Sequence, residues 1–170
     1  MPCSIRRRCP KVRPGFVFDN DLYRVQVLFE TYRTFKGMRI ACSNRKRGLM
    51  KQGFRFRKRK VPDGQYFAKT LILPYKRDGE KWIGAEIFFS TAQGEWPFAG
   101  DVAHECQHVA HHFVLHGDKH KMIRRGVGNL DEARAHMTGA FTQLILEYCM
   151  TGSMPKTVPT VFASVWKGPK

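Results

Sequence analysis

The stretch Asp101-Val-Ala-His104-Glu105-Cys-Gln-His108-Val-Ala-His-His-Phe-Val-Leu-His116-Gly117 limits the fold more than any other part of the chain. At about 100° per residue, Val102, Cys106, Val109, Ala110 and Phe113 share one arc of a helix, and His104, His108, His111 and His112 share the opposite arc. Such a helix packs on one side and presents imidazoles on the other. Residues four apart stand one above the other, so the His-Glu-x-x-His motif lets His104 and His108 offer two nitrogens to one metal ion. Glu105 starts near enough to reach a water on that ion. Zinc suits two histidines, a third protein ligand and an open position. The chemistry expected is peptide-bond hydrolysis through a zinc-bound water, with Glu105 as general base. With 7 His and 7 Glu in 170 residues, a shuffled chain holds the motif about one time in a hundred. The plainer alternative is a histidine-rich surface helix.

A chain of 170 residues is one domain by length, enough to bury a core. The expected division is a basic arm over 1–15, a domain over 16–152 and a tail over 153–170. No apolar run is long enough for a membrane span, and the basic N-terminus has no apolar run behind it to make a secretory signal. The five cysteines (Cys3, Cys9, Cys42, Cys106, Cys149) are odd in number and scattered, which suits reduced thiols in the cytoplasm.

Charge is uneven. Of 30 Lys and Arg, 18 lie in residues 1–60, with 3 of the 14 Asp and Glu, so nearly all of the net +16 sits in the first third. This asymmetry suits a polyanionic partner, nucleic acid or an acidic protein; the alternative is a solubilising surface. The candidate contact residues are Arg45, Lys46, Arg47, Arg55, Arg57, Lys58, Arg59 and Lys60.

Along the chain, apolar residues at 22, 25, 28, 29, 32 and 35 predict a helix, capped by Asn20 or Asp21 and ended by Gly37. Residues 38–42 read as a strand, 44–48 as a basic turn, and 54–61 as a strand with alternating Phe and Arg. Residues 66–74 form an apolar strand, Asp78-Gly79 a hairpin turn, and 81–89 the returning strand. If that returning strand is at the sheet edge, its free backbone groups can hold an extended peptide. Asp101 is a candidate N-cap for the histidine helix. A last helix spans about 129–150, with an apolar stripe from Leu130 to Tyr148, and is stopped by Gly152 and Pro155.

Glu132, in the first turn of that last helix, is the expected third ligand; Asp131, His136 and His120 are the alternatives. Asn129-x-x-Glu132 also fits a capping box. Val114 stands where a metzincin would place its third histidine. His136, four residues from Glu132, is a candidate transition-state donor; His112 has similar readings, as ligand, supporting donor or surface residue.

Residues 82–150, with His104-Glu105-Cys106-Gln107-His108 followed by Asp131-Glu132-Ala133-Arg134-Ala135, resemble a minimal gluzincin-type zinc metallopeptidase of the IrrE/ImmA-like kind. The resemblance implies an α+β zincin-like fold: an N-terminal helix, a small twisted and mainly antiparallel sheet, and two active-site helices. It makes His104, His108 and Glu132 the zinc ligands and Glu105 the base. SprT-like proteases, which pair the motif with DNA binding, are the second resemblance, although His116-Gly117 follows His108 too soon to match their later His-Gly step. The rival expectation is a basic nucleic-acid-binding or assembly protein with a structural or degenerate zinc site. A metal-dependent nuclease fits less well, for want of acidic clusters.

Overall fold

The computed structural model describes residues 13–19, 24–56, 67–94, 96–116 and 130–153. Among these residues the fold is α+β: three helices and one four-stranded mixed sheet. The strands are β1 (Gly15–Asp19), β2 (Arg24–Tyr32), β3 (Ala68–Arg77) and β4 (Glu80–Ser90), in the spatial order β1-β2-β4-β3. The helices are α1 (Phe35–Lys51), α2 (Ala99–His116) and α3 (Leu130–Thr151). β1 with β2 and β3 with β4 are antiparallel, but the central pair β2 and β4 runs parallel.

Where the N-terminal helix was expected, over residues 22–36, Arg24–Tyr32 is a strand. Val25, Val27 and Phe29 are buried and alternate with half-buried neighbours, a period of two. Two β-branched residues at those positions suit a strand bonded on both sides. The helix starts later, where a strand and a basic turn were expected. Thr34 caps α1, its hydroxyl accepting from the Gly37 amide at 3.0 Å, so Gly37 lies in the first turn rather than at a helix end. The buried stripe of α1 is Met38, Cys42 and Leu49. Position 45 belongs to the same stripe but is an arginine, and this hid the helical period in the sequence. Residues 54–56 carry no regular structure, and the rest of the strand expected over 54–61 lies outside the described residues.

The β3–β4 hairpin turns at Asp78 and Gly79, with φ of 52° and 79°. Both values are positive, as a type I′ turn requires, and glycine adopts that backbone without steric cost. β4 lies inside the sheet, and among the described residues the edge strands are β1 and β3, so the condition set for the returning strand is not met.

Alternation along the strands divides the interior into two layers. Val25, Val27, Phe29, Ala85, Ile87 and Phe89 face α2 and α3, where they join Val102, Val109, Phe113, Met137, Phe141 and Ile145 in one core. Leu71, Leu73 and Phe88 face α1 and pack on Met38, Cys42 and Leu49. Thus α1 covers one face of the sheet, and α2 with α3 the other. No helix among the described residues is long and apolar enough to cross a membrane.

Candidate metal centre

α2 is held with its apolar arc down, as the sequence pattern requires: Val102, Cys106, Val109 and Ala110 are wholly buried and Phe113 is 1% exposed. Its first turn forms as the amides of Asp101 and Val102 donate to the Phe98 carbonyl. Asp101 therefore lies inside the first turn, where its charge complements the helix dipole, and is not the cap.

The packing leaves His104 and His108 exposed on one side. Their Nε2 atoms stand 3.2 Å apart, with ring planes at 87°. With a Glu105 carboxylate oxygen, these nitrogens form a group of three donor atoms all within 4.8 Å of one another. Glu105 differs from the histidines in being buried, at 7% exposure. Thr70 Oγ1, on β3, donates to its Oε2 at 2.5 Å, tying the carboxylate to the edge strand. Thr70 was not singled out from sequence. The available signal was a hydroxyl inside an apolar strand, on the same face as Ala68 and Ile72.

The chain matches no protein-family model, no curated protein and no solved structure.

Glu132 is not brought to the two imidazoles. It lies on the exposed surface of α3, where His136 Nε2 meets its Oε1 at 2.8 Å. The groove between α2 and α3 is lined instead by Ala103 and Gln107 from α2, and by Asp131, Arg134, Ala135 and Thr138 among others from α3. Asp131, one alternative ligand, pairs with Arg134 at 2.9 Å, and Arg134 also approaches His111 Nδ1 at 3.5 Å. His136, the other described alternative, is engaged with Glu132. His120 lies outside the described residues. The sequence correctly placed these groups on one helix. It could not reveal which stripe of that helix turns toward α2, because the apolar stripe fixes the buried side and leaves two polar flanks.

Cys106, between the motif residues, is wholly buried. Burial pushes its thiol up to about 12, only partly relieved by a hydrogen bond with Thr142, so it is a packing group and not a thiolate ligand. Cys42, Cys106 and Cys149 are buried thiols, none of them in a disulfide.

The basic cluster expected to bind a partner separates into different roles. Arg45 is committed to the fold: its Nε meets the two Glu86 carboxylate oxygens at 3.1 and 2.8 Å, and its Nη2 donates at 2.6 Å. Glu86 is 3% exposed and also meets Arg13 Nη1 at 3.0 Å. Burial by itself raises the Glu86 pKa, but the hydrogen bonds from Arg45 and Arg13 outweigh it and hold the carboxyl below its usual value. Arg13 pairs with Glu30 as well, so the end of the expected N-terminal arm is fastened to the sheet. Lys46 lies over the Phe56 ring, 5.3 Å from its centroid. Arg47 and Arg55 are exposed. Arg57, Lys58, Arg59 and Lys60 lie outside the described residues, as do residues 1–12 and 154–170 of the expected arm and tail.

Proposed function

We propose that the chain is a zinc metallopeptidase in which His104 and His108 hold the ion and Glu105 is the general base. The observation carrying this reading is the 3.2 Å separation of the two Nε2 atoms. Two nitrogens bound tetrahedrally to one zinc at the usual length stand about 3.3 Å apart, so the imidazoles are already spaced for it. Zinc bound there supplies Lewis acidity, polarising a carbonyl and acidifying water. Glu105 takes the proton from the attacking water and passes it to the leaving amine. Its bond to Thr70 fixes which carboxylate oxygen is engaged and leaves the other for that proton.

The edge position of β3 supports a peptide substrate. Its outer backbone groups can pair with an extended chain laid beside Thr70 and hence beside Glu105. Glu132 remains the proposed third ligand on the strength of the resemblance. In this structure Glu132 pairs with His136, so its role as ligand rests on the resemblance alone.

The test is zinc stoichiometry of the wild type, Glu105→Gln and Glu132→Ala, with cleavage of an unstructured protein. The expected result is one zinc in wild type and in Glu105→Gln, cleavage by wild type alone, and zinc affinity at least tenfold weaker in Glu132→Ala. Loss of zinc from Glu105→Gln makes Glu105 a ligand and overturns its role as base. A wild type that binds zinc tightly and cleaves nothing favours a structural site.

A further inference from the structure

We propose that the exposed face of α1 binds the phosphate backbone of double-stranded nucleic acid. α1 carries six cations over 17 residues (Lys36, Arg39, Arg45, Lys46, Arg47 and Lys51) and not one Asp or Glu. Arg45 serves the fold through Glu86, and two of the cations lie over rings of the chain itself, Lys46 over Phe56 and Arg39 over Phe35. Lys36, Arg39, Arg47 and Lys51 are exposed and make no ion pair among the described residues. A helix face that only needs to be soluble gains a few tenths of a kcal/mol from each i,i+4 pair of opposite charges. This face forgoes every such pair and bears the mutual repulsion of its cations, which a polyanion relieves.

Its geometry suits a duplex. Lys36, Arg39, Ser43 and Arg47 follow one another at helical spacing, and a cleft of about 300 Å³ runs among them, with Ile40 and Asn44 on its walls. From Lys36 to Arg47 the helix rises about 16 Å, against about 3.4 Å of axis per phosphate on each strand, so one stripe passes several phosphates. The bare helix is narrow enough to lie along a major groove about 12 Å wide. Ser43 and Asn44 place neutral hydrogen-bonding groups between the charges, the mixture that contacts to phosphate and sugar use. An anionic membrane is a poorer match. A helix lying in a bilayer surface needs a broad apolar face, and the large apolar side chains exposed on α1 are Ile40 and Met50, set among cations. Because α1 covers the sheet face opposite α2, bound nucleic acid leaves the histidine side open.

The test is fluorescence anisotropy of the full chain with a labelled duplex of about 20 base pairs, roughly two helical repeats, across a salt series. The variant Lys36→Gln/Arg39→Gln/Arg47→Gln is compared with Arg6→Gln/Arg7→Gln/Arg8→Gln, which removes as much charge from the N-terminal arm. For the α1 variant the slope of log K against log salt is expected to fall by about 2.7, close to 0.9 for each lost contact. All three positions are exposed, so an unchanged thermal midpoint is expected and separates lost binding from lost fold. An unchanged slope in the α1 variant, with the loss confined to the arm variant, overturns the proposal. So does competition by poly-glutamate or by anionic vesicles as strong, charge for charge, as competition by unlabelled duplex.

Discussion

Among the described residues, α2 and α3 bury a continuous apolar cluster of twenty residues on one face of the sheet. On the other face, α1 buries a cluster of six described residues, with a carboxylate and two guanidinium groups beside it. The larger cluster holds the histidine helix rigidly and lets the groups it displays, His104 and His108, remain in water. The smaller one is bound by directional contacts: Arg45 and Arg13 converge on Glu86, and Tyr32 and Arg13 on Glu30. Apolar packing tolerates small slides of one layer over another. A buried carboxylate does not, because a helix displaced by one turn would carry Arg45 away from Glu86 and leave Arg13 alone to meet its charge. One face therefore gains its position from volume and the other from charge.

The largest effect expected on the apolar side is catalytic. Glu105→Gln is expected to lower cleavage about 10³-fold or more while retaining zinc and the wild-type melting temperature; activity within tenfold of wild type would remove the carboxylate from the mechanism. Next is the core itself. Phe113→Ala is expected to cost about 4 kcal/mol in urea unfolding, and Leu49→Ala, in the smaller cluster, about 2 kcal/mol. Equal costs would erase the contrast between the two faces.

The charged face makes a prediction of opposite character, that its contribution depends on pH. Glu86→Ala leaves Arg45 and Arg13 without their shared carboxylate and is expected to cost about 3 kcal/mol at neutral pH. The folded-state pKa of Glu86 lies below its usual value, so the stability it supplies is complete above the ordinary carboxylate range of about 4 and is lost as pH falls through the lower folded value. The gap in melting temperature between wild type and Glu86→Ala should accordingly hold above about pH 5 and narrow as pH falls from there. A gap that stayed constant through that fall would mean that the pair acts through packing alone. The smallest effect is expected at Thr70→Val, which keeps shape and removes the hydroxyl donated to Glu105. Cleavage should fall roughly tenfold, with zinc binding unaffected.

The same contrast explains what could be read from the sequence. α2, α3 and the β3–β4 hairpin follow from patterns with apolar residues at every expected place, from Val102 to Phe113 and from Ala133 to Ile145, and from the Asp78-Gly79 turn. α1 did not follow, since its stripe runs Met38, Cys42, Arg45, Leu49 and a periodicity of apolar residues breaks at the arginine. Whether Arg45 meets water or a buried glutamate is decided by Glu86, 41 positions away. β2 was misread for a related reason. Val25, Leu28, Phe29 and Tyr32 satisfy a helical spacing, and only pairing with β1 and β4 selects the alternation of Val25, Val27 and Phe29. At the candidate metal centre, the local part of the motif was legible and the contact from Thr70 was not, because it joins residues 35 positions apart.

The parallel pairing of β2 with β4 also sets an order in time. Val25 lies beside Ile83 only after about 60 residues of intervening chain have been drawn in, whereas Arg77 meets Glu80 across a two-residue turn. The hairpin and the helices draw on contacts near in sequence and are expected to form first; the central seam, with the longer loop to close, is expected to follow. Thr70 arrives with the early hairpin, but the platform that seats α2 against it, built from Val27, Phe29, Ala85 and Ile87 together, exists only once that seam is shut. The hydrolytic centre proposed here would thus be assembled late in folding, and a nascent chain would carry its histidines well before it could use them.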